Sequence, residues 1–187
     1  MTATTKPLYA LFYTKDTPYE QEAIECEKTL KAFNLNYRIW PVDSRGSWEL
    51  NTQIKASVVK DALDSTTGPV VYVDADSRVE SYPILLDQIE CDIAFHYFRG
   101  VELLSGTLYL GNTKRCKQLV DEWIERNNRF PGEWDQRVLQ AIISKNKDID
   151  WLVLPETYVY IDGLATTRSL PIIRHTQASR RLKNSIK

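Results

Sequence analysis

The chain has 187 residues, 43% of them hydrophobic and 26% charged, which is enough for one folded domain and unlike a disordered or fibrous sequence. Its formal charge of −1 argues against a surface that grips nucleic acid throughout. No apolar run is long enough to span a bilayer, and the first six residues lack the apolar stretch of a signal peptide.

Residues 8–13 are aromatic and apolar and predict a first strand. Asp16, Thr17 and Pro18 open a helix that runs to about Phe33, with Ala23, Ile24 and Leu30 among its apolar positions. Residues 37–42 predict a second strand, 44–47 a loop, and about 50–63 a helix. Gly68 and Pro69 mark a turn before residues 70–73, a β-branched run read as a buried third strand. This β-α-β-α-β order predicts a parallel sheet with right-handed crossovers.

Further along, residues 92–95 and 107–110 read as strands. Residues 114–127 have helical spacing, with Leu119, Trp123 and Ile124 inward, and 133–144 form another helix with Val138, Leu139, Ile142 and Ile143 inward. Residues 151–154 predict a strand stopped by Pro155, and Ile172 and Ile173 a last short one. Tyr109, Trp123 and Trp151 read as core by their periodic positions. With no repeat or linker, the expectation is one α/β domain, a mostly parallel central sheet flanked by helices.

Cys26, Cys91 and Cys116 are odd in number and far apart, which disfavours a zinc knuckle or a disulfide framework. They are expected to be small apolar residues in a reduced, cytoplasmic setting. Residues 163–187 contain no acid but do contain Arg168, Arg174, Arg180, Arg181, Lys183 and Lys187. That tail is either solvated and frayed or a clamp for an anion such as phosphate. It also suits a peripheral position on an anionic membrane face.

The segment richest in chemistry is 70–78, where an apolar strand runs into Asp74, Ala75 and Asp76. Ligands of open α/β sheets bind at the carboxyl ends of strands. Residues two apart in extended backbone share a side, so two hard oxygen ligands there suit Mg²⁺ or Mn²⁺. The plainer alternative is that one Asp caps a turn and the other is solvated. His175 follows an apolar run and could complete a metal shell as a neutral imidazole. The alternative is an ordinary hydrogen-bonded histidine. His96, on a predicted strand, reads as partly packed.

Together these residues resemble a GT-A type glycosyltransferase, a Rossmann-like nucleotide-diphospho-sugar transferase fold. The resemblance rests on Gly46, Ser47 and Trp48 with Asn51 and Lys55, on Asp74-Ala75-Asp76 as the DxD motif, and on the segment 105–113. It extends to Trp134-Asp135-Gln136 as the pair facing the donor sugar, to Leu154 and Pro155 followed by Tyr158, and to 172–175 as the terminal metal-binding histidine. It is nearest to retaining enzymes related to lipopolysaccharide galactosyltransferases and glycogenin. Their usual His-x-x-Gly-x-x-Lys ending departs here, with Ala178 at the glycine position and Arg181 at the lysine position.

The resemblance implies Mn²⁺ or Mg²⁺ on Asp74, Asp76 and His175, with Gln136 near the anomeric carbon. The metal, with Arg181 or Lys183, would stabilise the charge on a departing diphosphate. Asp135 can accept hydrogen bonds from sugar hydroxyls; it also suits the first turn of a helix. Retention is favoured over inversion, for which Asp135 would be the base. Asp43 is a candidate contact to base or ribose, and Lys55 to a phosphate or a DxD carboxylate. Solvated surface charge is the alternative for both and the better account of Lys55 taken alone. Trp48 either stacks or packs.

The expected donor is a nucleotide-diphosphate sugar, a UDP-sugar favoured, bound mainly by residues 1–80, with residues 81–187 serving donor sugar and acceptor. The acceptor is open: a glycan, a lipid-linked sugar, a protein, a small metabolite or a nucleic-acid base. Two other functions compete. A haloacid-dehalogenase-like phosphatase also uses Asp-x-Asp, but after its first strand. A non-catalytic nucleotide-sugar-binding domain would keep the fold without turnover.

Overall fold

The computed structural model describes residues 5–185, with side chains as far as Arg181. Six strands form the central sheet in the order β2-β1-β3-β6-β5-β7. They are β1 (Leu8–Thr14), β2 (Tyr37–Val42), β3 (Val70–Val73), β5 (Ile93–Phe98), β6 (Glu102–Leu110) and β7 (Trp151–Val153). β1 pairs in parallel with β2 and β3, and β5 with β7, whereas β6 runs antiparallel to both β3 and β5.

Strand alternation sorts the core into two layers. Leu8, Ala10, Val70 and Tyr72 face a layer with α3 (Ile54–Asp64), α4 (Lys114–Arg129) and α5 (Asp135–Lys145). Tyr9, Leu11, Val71 and Val73 face the other, where α1 (Tyr19–Ala32) supplies Ala23, Cys26 and Leu30. Leu119, Trp123, Val138, Leu139, Ile142 and Ile143 are buried as their helical spacing predicts.

Four expectations change. The helix expected over 50–63 is two, α2 (Trp48–Thr52) and α3, joined at Gln53. Gln53 is held by other partners: Nε2 donates to Phe130 O and Glu133 O, and its carbonyl accepts from Asn127 Nδ2. β6 begins at Glu102, because the turn at residues 99–101 folds it back on β5 with Phe98 opposite Glu102. Trp151 is not core: it is 46% exposed, because β7 is the sheet's edge and only one flank of its ring meets Phe95 and Tyr97. The basic tail is not simply frayed, since α6 (Ala178–Ser185) forms there. The side chain of Lys183, and all of Lys187, lie outside the described part.

In a second, three-stranded sheet, β4-β9-β8, only β9 has a counterpart in the sequence reading, the short strand expected at Ile172 and Ile173. β4 (Ser77–Val79) pairs antiparallel with β9 (Ile173–His175), which pairs in parallel with β8 (Tyr160–Ile161). Among the described residues, no helix is long and apolar enough to cross a membrane.

Candidate active site where the two sheets meet

The main sheet delivers Asp74 and the small sheet delivers His175. Asp74 N–H donates to Gly106 O at 2.8 Å, and Ser77 N–H closes a turn on Asp74 O at 3.0 Å. The DxD carboxylates therefore converge through a turn between β3 and β4, not through strand alternation, because the turn bond ends the extended backbone at Asp74. In the small sheet Ser77 lies opposite His175, which sets the imidazole beside Asp76. One ligand atom each from Asp74, Asp76 and His175 lie within 4.8 Å of one another.

Each member is held from behind. Tyr72 OH donates to Asp74 Oδ1 at 3.0 Å. Asp76 Oδ2 accepts from Ala178 N–H at 2.8 Å, while Oδ1 lies 3.7 Å from His175 Nδ1. His175 Nε2 is 2.9 Å from Thr107 Oγ1, which leaves Nδ1 as the nitrogen facing the carboxylates. Gly106 makes room: a Cβ there would stand 3.0 Å from His175 Cε1 and 3.2 Å from Asp74 Oδ2. Burial pulls the Asp76 pKa up, but His175, the Ala178 N–H and Arg78 outweigh it and hold the carboxyl below its usual range. Two carboxylates and an imidazole, spaced this way beside a glycine, fit a divalent cation of the Mn²⁺ or Mg²⁺ kind.

Behind the triad is a buried ionic cluster. Lys55 Nζ lies 3.2 Å from Asp74 Oδ1 and 3.3 Å from Asp135 Oδ2, and it donates to Ser105 O and Oγ. Lys55 is thus a buried cation, contrary to the surface charge expected of it alone, because two carboxylates and a Ser105 cradle repay its desolvation. Burial works against its charge, yet Asp135 and Asp74 hold its pKa above the ordinary lysine value. Burial pushes the Asp135 pKa up, opposed by Lys55 and reinforced by Asp74. Asp135 opens α5, as expected of an acid in a first turn, and its buried Oδ1 has no hydrogen-bond partner among the described residues.

Gln136 is fixed in orientation. Ser105 N–H can only donate, so the amide oxygen faces it at 3.2 Å and Nε2 faces Glu102 Oε1 at 2.9 Å.

Two adjoining cavities meet at these residues. One, of about 230 Å³, is walled by Phe12, Tyr13, Tyr19, Asn51, Lys55 and Asp135 among others. The second, of about 530 Å³, is walled by Phe98, Glu102, Leu104, His175 and Arg180 among others. Trp48, Asp74, Asp76, Trp134, Gln136 and Ser179 belong to both walls. The Trp48 and Trp134 rings meet at 5.6 Å, so Trp48 packs against another indole and lines the cavities as well.

Not every candidate comes to this place. Asp43 is exposed, pairs with Lys15 at 3.1 Å and walls neither cavity. Asn51 does wall the first cavity, but its Oδ1 accepts from Arg45 N–H at 2.6 Å. Arg181 bonds Glu22 at 2.7 Å, outside both walls. His96 is part-buried against Leu154 O. Tyr72 and Glu102 are site residues that the sequence did not single out, because they reach the site through strand pairing. Ser105, Gly106, Thr107 and Trp134 entered the sequence reading only within the motif segments 105–113 and 134–136, with no role of their own.

No family profile matches the chain, and no curated protein matches its sequence. Solved structures do match. A glycosyltransferase involved in glycosylation of the major capsid of PBCV-1 superposes with a TM-score of 0.73 at 10% identity, over 96% of this chain and 97% of that one. The glycosyltransferase GlyE of Streptococcus pneumoniae TIGR4 gives 0.66 at 17% identity over 93% of this chain, which spans about half (55%) of the GlyE chain. Mouse xyloside xylosyltransferase 1, in its apo form, gives 0.58 at 11% identity, over 94% of this chain and 99% of that one. The chain has the GT-A fold seen in these glycosyltransferases.

Proposed function

We propose that the protein is a metal-dependent glycosyltransferase that moves a sugar from a nucleotide-diphosphate sugar, a UDP-sugar favoured, to an acceptor hydroxyl with retention. The observation that carries this reading is the meeting of Asp74, Asp76 and His175 at the seam of two cavities. The fold shared with glycosyltransferases supports it.

Asp74, Asp76 and His175 would hold Mn²⁺ or Mg²⁺. When bound, the ion neutralises negative charge gathering on a departing diphosphate. The aromatic first cavity takes the nucleotide, with residues 1–80 supplying most of its wall and Asp135, Gln136 and Trp134 closing its sugar end. We assign Asp135, on the wall of the first cavity, to the donor-sugar hydroxyls. In the transfer, the bond from the anomeric carbon to the phosphate oxygen breaks with its electron pair going to the diphosphate. The acceptor oxygen bonds the same carbon, and its proton passes to the departing phosphate oxygen. That balance needs no separate base, which agrees with Asp135 being engaged by Lys55. Asp43 receives no role, and a contact from Arg181 to phosphate requires that it leave Glu22; Lys183 remains a second candidate for that contact.

A thermal-shift panel of nucleotides and nucleotide sugars, with and without Mn²⁺, tests this. A metal-dependent rise with one nucleotide sugar is expected, absent in Asp76→Asn and in Asp74→Asn. Cleavage of simple phosphate esters, or a full metal-dependent rise in both variants, would overturn the reading.

A further inference from the structure

We infer that Glu102 is the acceptor-binding carboxylate of the second cavity, and that this cavity takes a neutral pyranoside. The inference rests on the transferase reading and adds the substrate class on its acceptor side.

Glu102 walls the second cavity and not the first. Apart from Asp74 and Asp76, it is the only carboxylate in that wall among the described residues. It opens β6, three residues before Ser105, and the pairing with β5 fixes its backbone opposite Phe98. Its Oε1 is engaged by Gln136 Nε2 at 2.9 Å. A carboxylate carries about four acceptor sites on its two oxygens, so one bond leaves capacity for a hydroxyl donor. Gln136 thus separates two carboxylates that cannot exchange tasks. Asp135 lies on the donor side and is paired with Lys55, whereas Glu102 lies on the acceptor side and, among the described residues, forms no ion pair.

The chemistry of the wall selects the occupant. Phe98, Leu104 and Trp134 offer an apolar surface, and Glu102 offers an acceptor with no proton to give. A pyranoside has a C–H face for the first and hydroxyl donors for the second. Three carboxylates, Glu102, Asp74 and Asp76, outnumber the two arginines of this wall, Arg180 and Arg99, the latter lying over the Phe98 ring at 5.0 Å, so the balance of charge disfavours an anionic acceptor. The volume of about 530 Å³ is in the range of small-molecule sites. Glu102 therefore orients the attacking hydroxyl toward the seam without changing the chemistry of the donor.

The test compares Glu102→Gln with Asp135→Asn and the unaltered protein, using methyl pyranosides of glucose, galactose and xylose as probes. Glutamine at position 102 can still accept from Gln136, so the structural bond is kept and the charge alone is lost. Tryptophan fluorescence, to which Trp48 and Trp134 of the cavity wall contribute beside the three other tryptophans, follows pyranoside binding in the presence of Mn²⁺ and UDP. Glu102→Gln should weaken binding of the best pyranoside roughly tenfold or more, as expected for loss of a charge-assisted hydrogen bond. Asp135→Asn should leave it within about twofold. Transfer to the pyranoside should fall in Glu102→Gln by more than the release of free nucleoside diphosphate without acceptor does. Glu102→Asp should restore part of the binding.

Pyranoside affinity unmoved by Glu102→Gln, or no pyranoside binding at all, overturns the inference. A Glu102-dependent pyranoside site in a protein that turns over no nucleotide sugar upholds the inference while the transferase reading fails.

Discussion

The ammonium of Lys55 lies 3.3 Å from Asp135 Oδ2, and both side chains are shut away from solvent. Removing the cation leaves Asp135 buried without an ion-pair partner and with the Asp74 carboxylate close by. Lys55→Met should therefore cost about 3–5 kcal/mol in urea denaturation at pH 7. The double variant Lys55→Met/Asp135→Asn should recover part of that loss, because the second change removes the stranded charge. Equal stability of single and double variants would contradict the pairing.

Gly106 sits where β6 passes under the triad. In Gly106→Ala the new methyl would press on His175 and Asp74 at 3.0–3.2 Å, so the imidazole and carboxylate must give way. Mn²⁺ titration followed by calorimetry should show affinity reduced by roughly tenfold or more, the scale seen when support of metal ligands is lost. Melting of the metal-free protein should change far less. Unaltered Mn²⁺ affinity would argue against the triad as the metal site.

Asp92 gives a prediction in pH, at the end of the sheet away from the triad. It accepts from Thr113 Oγ1, from Arg115 Nε at 2.7 Å and from Asp150 N–H at 2.9 Å. Burial raises its pKa, but these donors outweigh burial and hold it below the ordinary aspartate value. A depressed folded pKa means stability that is present above about pH 4, the unfolded aspartate range, and lost as pH falls through the folded pKa. Asp92→Asn should cost about 2 kcal/mol at pH 7 and show a shallower loss of stability on acidification, measured by denaturation from pH 7 to 2.

Gln53 ties the α2–α3 junction to the segment before α5 through two bonds to carbonyl oxygens. Gln53→Ala should cost about 1–2 kcal/mol. Gln53→Glu should cost more at pH 7, because a carboxylate cannot donate to Phe130 O and Glu133 O. Chemical denaturation followed by fluorescence would rank the two, and the reverse order would show that shape rather than donation matters at this junction.

The sequence-legible part of this molecule is the part with local periodicity. Buried runs such as 70–73 and helical spacing such as 114–127 read correctly because side-chain alternation is written in neighbouring residues. Asp74, Asp76, Asp135, Gln136 and His175 were legible as motif positions, and the structure places all five in the walls of the two adjoining cavities. What could not be read depends on distant pairing. β4 and β8 are two or three residues long and exist only because β9 lies between them. The burial of Lys55 needs Ser105, Asp74 and Asp135 to surround it, and nothing near Lys55 in the chain announces them. Trp151 misled for the opposite reason: its periodicity is that of a core strand, but the strand lies at the rim of the sheet.

Asp76 has only two oxygens, and one of them holds the first amide of α6. The start of α6 is thus fastened to the same acid that confronts His175. Cutting the chain before Ala178 would strip a hydrogen bond from the middle of the site, not trim its periphery. Whatever grips Asp76 from the front must share it with the tail behind.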